Sequence, residues 1–76
     1  MKELLEHIAR ALVEHPDNVA VTEVEAEDEL VLELRVAPDD MGKVIGKQGR
    51  IAKAIRVVMK AAAISEKRKV SVEIVE

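Results

Sequence analysis

From the N-terminus, apolar residues recur at three- and four-residue spacing: Leu4, Leu5, Ile8, Ala9, Leu12 and Val13, with Glu3, Glu6, Arg10 and Glu14 between them. A one-sided pattern of this period predicts a helix over residues 2–15. Pro16 disfavours helical geometry at His15, so the helix is expected to stop there, with Asp17-Asn18 turning the chain. The pattern then changes. Val19, Val21, Thr22 and Val24 form a β-branched run that predicts a strand over 19–26. Glu27-Asp28-Glu29 reads as the turn of a hairpin. Over 30–37, Leu30, Leu32, Leu34 and Val36 alternate with Val31, Glu33 and Arg35, the period of a strand with one buried face and one partly wet, as in an antiparallel sheet.

Helical spacing returns in the second half. Pro38-Asp39-Asp40 resembles a helix start, and a short helix is predicted from about Asp39 to Ile45, ending at Gly46. A longer one is expected over 50–64, with Ile51, Ile55, Val58 and Ala62 as its core stripe and Arg50, Lys53, Arg56 and Lys60 as a basic stripe. Ser65 to Lys69 breaks the pattern, and Val70, Val72 and Ile74 then alternate in a last strand. The order α-β-β-α-α-β, with no internal repeat and no linker, predicts a single α+β domain: a three-stranded sheet with its helices on one face.

Charge changes the picture more than length does. The 76 residues carry a net charge of −3, which by itself argues against a polyanionic ligand. Residues 1–40, however, hold 3 basic and 12 acidic residues, whereas 41–69 hold 9 basic residues and one acid, Glu66. Such asymmetry implies a positive surface on an acidic body. The absence of cysteine excludes disulfides and thiolate chemistry, and the absence of Phe, Tyr and Trp excludes aromatic platforms for base stacking. No apolar run reaches the ~18 residues of a membrane span. The N-terminus carries acids where a signal peptide carries an apolar block, so a cytoplasmic protein without membrane contact is expected.

The segment Val44-Ile45-Gly46-Lys47-Gln48-Gly49-Arg50-Ile51 carries the candidate chemistry. Without a Cβ, Gly46 and Gly49 can turn sharply and let a ligand approach the backbone. A helix starting near Arg50 aims its free N–H groups and positive dipole end at the same spot, and Lys47 and Arg50 add full charges. The arrangement suits a phosphate backbone. It is not a Walker A loop, because only three residues separate Gly42 from Gly46 and Gln48, which has no hydroxyl, follows Lys47.

Ile45-Gly46-Lys47-Gln48-Gly49-Arg50-Ile51 matches the I-G-x-x-G-x-x-I signature of KH domains, and the element order is that of their type II form. From Lys2 to Ile74 the chain resembles the KhpA (YlqC) family of small bacterial single-KH-domain proteins, most closely over Leu32 to Pro38 and Met41 to Arg50. The resemblance implies single-stranded RNA binding, in which a G-x-x-G loop clamps the backbone of about four nucleotides beside a narrow base groove. Carried over, the clamp is Gly46, Lys47, Gln48 and Gly49, the groove wall includes Ile45 and Ile51, and Arg50 and Lys53 reach phosphates or sugars. The second strand is expected opposite, with Leu34, Arg35 and Val36 as candidates, and Lys43 extends the basic patch. The resemblance also implies an RNA chaperone that pairs with itself or with a larger KhpB-like KH protein.

Three other features bear on the chemistry. Val57, Met59, Ala61, Ala63 and Ile64 lie off the expected core stripe of the last helix, so Val57, Met59, Lys60 and Ile64 are candidates for a dimer or partner surface. On that alternative the protein is an interaction module and RNA is incidental. His7 and His15 are eight apart rather than four and read as surface residues rather than metal ligands. No Ser/His/Asp set is present, and the chain is expected to be a binding protein, with neither enzymatic activity nor a cofactor.

Overall fold

The computed structural model describes residues 1–75. Its elements are α1 (Lys2–Leu12), β1 (Ala20–Glu25), β2 (Glu29–Arg35), α2 (Met41–Ile45), α3 (Arg50–Ser65) and β3 (Lys69–Val75), with 3-10 turns at Pro16–Asn18, Pro38–Asp40 and Lys47–Gly49. The α+β order is as the periodicity predicts.

The sheet is mixed rather than antiparallel throughout. β1 and β2 form the expected hairpin, pairing antiparallel from Ala20↔Arg35 to Glu25↔Leu30. β2 and β3 pair in parallel, from Glu29↔Lys69 to Arg35↔Val75. The connection allows it: parallel pairing needs a crossover of a dozen or more residues, which α2 and α3 supply, whereas the tight turn between β1 and β2 reverses the chain. In the order β1-β2-β3, β2 is therefore paired on both sides and β3 is an edge.

One face of the sheet carries the helices. Leu30, Leu32 and Leu34 of β2 and Val70 and Val72 of β3 are buried beneath them, with α1 packed on β1 and α3 on β3. From α1, Leu5 and Ala9 enter the core, while Leu4 and Leu12 stay on its rim. The core is aliphatic throughout apart from Met59, which is fully buried.

On α3 the buried residues are Ala52, Ile55, Met59 and Ala63. Of the stripe expected from sequence, only Ile55 is buried, and Val58 is 46% exposed. The helix is rolled by less than one residue's ~100°. Because α3 is apolar or small on most of its circumference, its period alone leaves the roll open, and the fit against β3 selects it. Its C-terminus closes through Lys67, at φ 56°, with the Arg68 N–H donating to the Ala63 carbonyl at 3.2 Å.

Helix α1 stops at Leu12, three residues earlier than expected, and Val13 is already extended. Pro16 is part of the reason. The other is Asp40, 1% exposed, whose carboxylate accepts from the backbone N–H of Glu14 at 3.1 Å and of His15 at 3.0 Å. Those N–H groups would otherwise continue the helix ladder. An ion pair of Lys43 with Glu14 at 3.4 Å ties the same two segments. The sequence suggests only a helix-start acid at Asp40. In the fold it clasps the end of α1 to the turn that leads into α2, and so steadies the helix pair bearing the glycine loop.

Candidate nucleic-acid interface

The loop between α2 and α3 has a backbone that its sequence demands. Gly46 ends α2, its N–H donating to the Gly42 carbonyl at 2.9 Å. It adopts φ 76° and ψ 173°, a region essentially reserved for glycine. A Cβ here would lie 2.6 Å from Ile51 Cγ1 and 2.9 Å from the Ile51 nitrogen. Gly46 is thus required twice over, for its dihedrals and for close approach to α3. Gly49 is left-handed at φ 76° and ψ 14° but has open space around it. Between them, Gln48 is also left-handed, at φ 59°. A non-glycine residue there costs about 1–2 kcal/mol, and strain of this kind gathers at functional sites.

The turn is closed by the Gly49 N–H donating to the Gly46 carbonyl at 3.1 Å. Lys47 and Gln48 stand exposed at its tip, and Gly46 and Gly49 are half-buried. Helix α3 follows at once, 16 residues long and without a side-chain N-cap. Its positive end, two exposed polar side chains and two glycines converge on one small surface.

The flanking candidates divide. Ile45 is 37% exposed and Ile51 half-buried against the core. Arg50 lies at the mouth of an apolar trough between α1 and α3, with Leu4, Ile8, Leu12, Ala54 and Val58. Lys53, Arg56 and Lys60 share the other flank of α3, toward β3, where the Arg56 Nε donates to the Val72 carbonyl at 3.2 Å. Lys43 is held by Glu14, and Arg68 pairs with Glu25 at 3.0 Å.

The strand expected opposite the loop is not β2. Leu34 is fully buried and Val36 nearly so, and both edges of β2 are taken. Arg35 alternates with Leu34, which places it on the sheet face away from the helices. The strand beside the cationic flank of α3 is β3. Lys60, Val70 and Ser71 line two adjoining pockets there, of about 160 and 530 Å³, with Arg56 and Val72 completing the first and Ile64, Arg68 and Lys69 entering the second. Sequence reasoning missed Val70, Ser71 and Val72. The helical crossover permits β3 to run parallel to β2 but does not dictate it.

Among the partner-surface candidates, Met59 must be withdrawn. It is 0% exposed, because the roll of α3 turns it to the sheet. Lys60 lines the pockets beside β3. Val57 and Ile64 are the most exposed large apolar side chains of α3, at 66% and 76%. With Ala54 and Ala61, also exposed, they form a ridge at spacings of three and four, the pattern of a helix–helix seam.

His7 and His15 are exposed, and among the described residues no cluster of His, Asp and Glu could hold a metal ion. No helix of the described residues is long and apolar enough to cross a membrane.

Residues 2–74 match the family model described as KhpA/KhpB, KH domain. RNA-binding protein KhpA of Clostridium acetobutylicum is 65% identical over 75 residues, covering 99% of this chain and all of that protein. The KhpA of Caldanaerobacter subterraneus is 59% identical with the same coverage, and that of Aquifex aeolicus 47% identical over all of this chain and 96% of its own. The names of these relatives are those of binding proteins, not enzymes. Among solved structures, Era in complex with MgGDPNP and nucleotides 1506–1542 of 16S ribosomal RNA superposes with a TM-score of 0.62 at 25% identity. The match covers 96% of this chain but spans only 28% of Era.

Proposed function

This chain belongs to the KhpA/KhpB KH-domain family, and we propose that it is a cytoplasmic single-stranded RNA-binding protein and RNA chaperone. In this reading Gly46, Lys47, Gln48 and Gly49 clamp the sugar–phosphate backbone through main-chain amides. Lys47, Arg50 and Lys53 meet phosphates, and the bases lie along α3 toward the edge of β3. The observation that carries it is the loop itself, with left-handed backbone at Gly49 and, at a cost, at the non-glycine Gln48, directly before the uncapped start of α3. Relatives named RNA-binding protein KhpA and an RNA-bound Era support it. With no aromatic residue to stack on bases, affinity rests on cation–phosphate contacts and is moderate and salt-sensitive.

The test is the double substitution Lys47→Asp with Gln48→Asp. Aspartate tolerates the left-handed backbone at position 48, so the variant is expected to melt like the unmodified protein. Binding to short unstructured oligoribonucleotides should fall more than about tenfold as phosphate contacts become repulsions. A folded double variant with unchanged affinity would falsify the clamp.

A second reading is favoured by the ridge of Ala54, Val57, Ala61 and Ile64. It serves as a contact for a second copy of this chain or for a larger KhpB-like KH protein. The ridge is separate from the loop, so pairing and RNA binding are compatible.

A further inference from the structure

Arg56 differs from the other cations of α3 in being held. Its Nε donates to the Val72 carbonyl oxygen at 3.2 Å, a backbone group on a strand that pairs only with β2 and so offers a free outer edge. That bond uses one of the five N–H donors of a guanidinium and restrains the plane of the rest. Around it, Lys60, Val70, Ser71 and Val72 line a pocket of about 160 Å³. This is well below the ~300–1,000 Å³ of sites for drug-sized ligands and on the scale of one flat ring. Six residues separate Arg56 from the start of α3, about 9 Å along the helix, within the stretch a four-nucleotide clamp occupies.

A brace between α3 and β3 accounts for Nε but not for the terminal nitrogens. Resting on the RNA-binding reading above, we propose that Arg56 reads one base of the bound strand and favours a base with two adjacent hydrogen-bond acceptors. Guanine offers O6 and N7, and cytosine O2 and N3. A guanidinium only donates, so it matches either edge with two parallel bonds. Adenine sets its N6 amino donor beside N7, and uracil its N3–H beside each carbonyl, so both place a donor against the fork. Val70, Ser71 and Val72 make this wall apolar and neutral, unlike the loop, where Lys47 and Arg50 meet phosphate.

The experiment is a set of short oligouridylates in which one position at a time carries G, C or A, titrated by fluorescence anisotropy. At one position G or C is expected to bind at least about fivefold tighter than A or U, the lower end for a bidentate pair. Arg56→Lys keeps the charge and removes the fork. It should bring the four bases to within about twofold and leave affinity for the all-uridine strand within about threefold. If that variant does not fold, the guanidinium ¹⁵N signals of the unmodified protein decide. The Arg56 signals should move with the G- or C-bearing strand and stay put with uridine alone. Equal binding of all four bases by the unmodified protein, or a preference that persists in folded Arg56→Lys, overturns the proposal. Binding to none of the strands overturns the RNA-binding reading itself and this inference with it.

Discussion

Gly46 and Gly49 look alike in the sequence and are not alike in the fold. Both have φ 76°, but only a Cβ on Gly46 would meet backbone and side chain of Ile51 below 3.0 Å. Gly49→Ala is expected to cost about 1–2 kcal/mol for its left-handed backbone. Gly46→Ala should cost about 3 kcal/mol or more, since α2 and α3 must separate as well. Thermal melts of the two variants check this, and equal melting temperatures would contradict the close packing of loop on helix. Asp40 is the other side chain with an outsized role. Asp40→Ala removes the acceptor of the Glu14 and His15 N–H groups and should destabilise by roughly 3 kcal/mol, seen as a lower midpoint in urea. The glycine motif is legible from residue types, because only glycine supplies such dihedrals. The Asp40 clasp is not, since its partners lie 25 and 26 positions away.

Among the elements, α3 holds the main lesson. A helix with alanines, Ile, Val and Met on several sides has no single apolar face for its period to announce. Its roll is set by which small residues let it close on β3. Ala52 and Ala63 do so at the two ends of the stripe, with Ile55 and Met59 between. The consequence separates two substitutions. Met59→Lys should unfold the protein, because an unpaired ammonium would be buried in an aliphatic core. Ile64→Asp, at a position 76% exposed, should leave the monomer folded. If the ridge is a contact, Ile64→Asp lowers the sedimentation coefficient of a self-associated form and leaves RNA affinity of the monomer intact. A folded Met59→Lys would show that α3 sits differently from the roll described. The hairpin was readable from a β-branched run in β1 and from leucines at every second residue of β2. The parallel return of β3 was not written in β3 itself.

Across the whole molecule, charge is sorted by sequence halves and then trimmed by contacts. The acidic half supplies α1, β1 and β2, and the basic half supplies the loop and α3. Within the basic half, Lys43 is ion-paired with Glu14 and Arg68 with Glu25. Lys47, Arg50 and Lys53 are the cations left near the loop. With three phosphate contacts, the slope of log K against log salt for a single strand should be about −2. Anisotropy titrations over a range of potassium chloride measure it. A slope near −3.5 would mean that the pockets beside β3, with Lys60 and Lys69, also bear phosphates.

The order of elements, the hairpin, the glycine loop and the opposed charge of the two halves were all present in the one-dimensional string. Each depends on short-range constraints: dihedral preference, residue period and charge along neighbouring positions. The direction and edge position of β3, the roll of α3 that buried Met59 and exposed Ile64, and the embrace of α1 by Asp40 needed the folded chain. They arise from contacts between segments distant in sequence, where packing volume and unsatisfied backbone groups choose among arrangements that local pattern leaves equal.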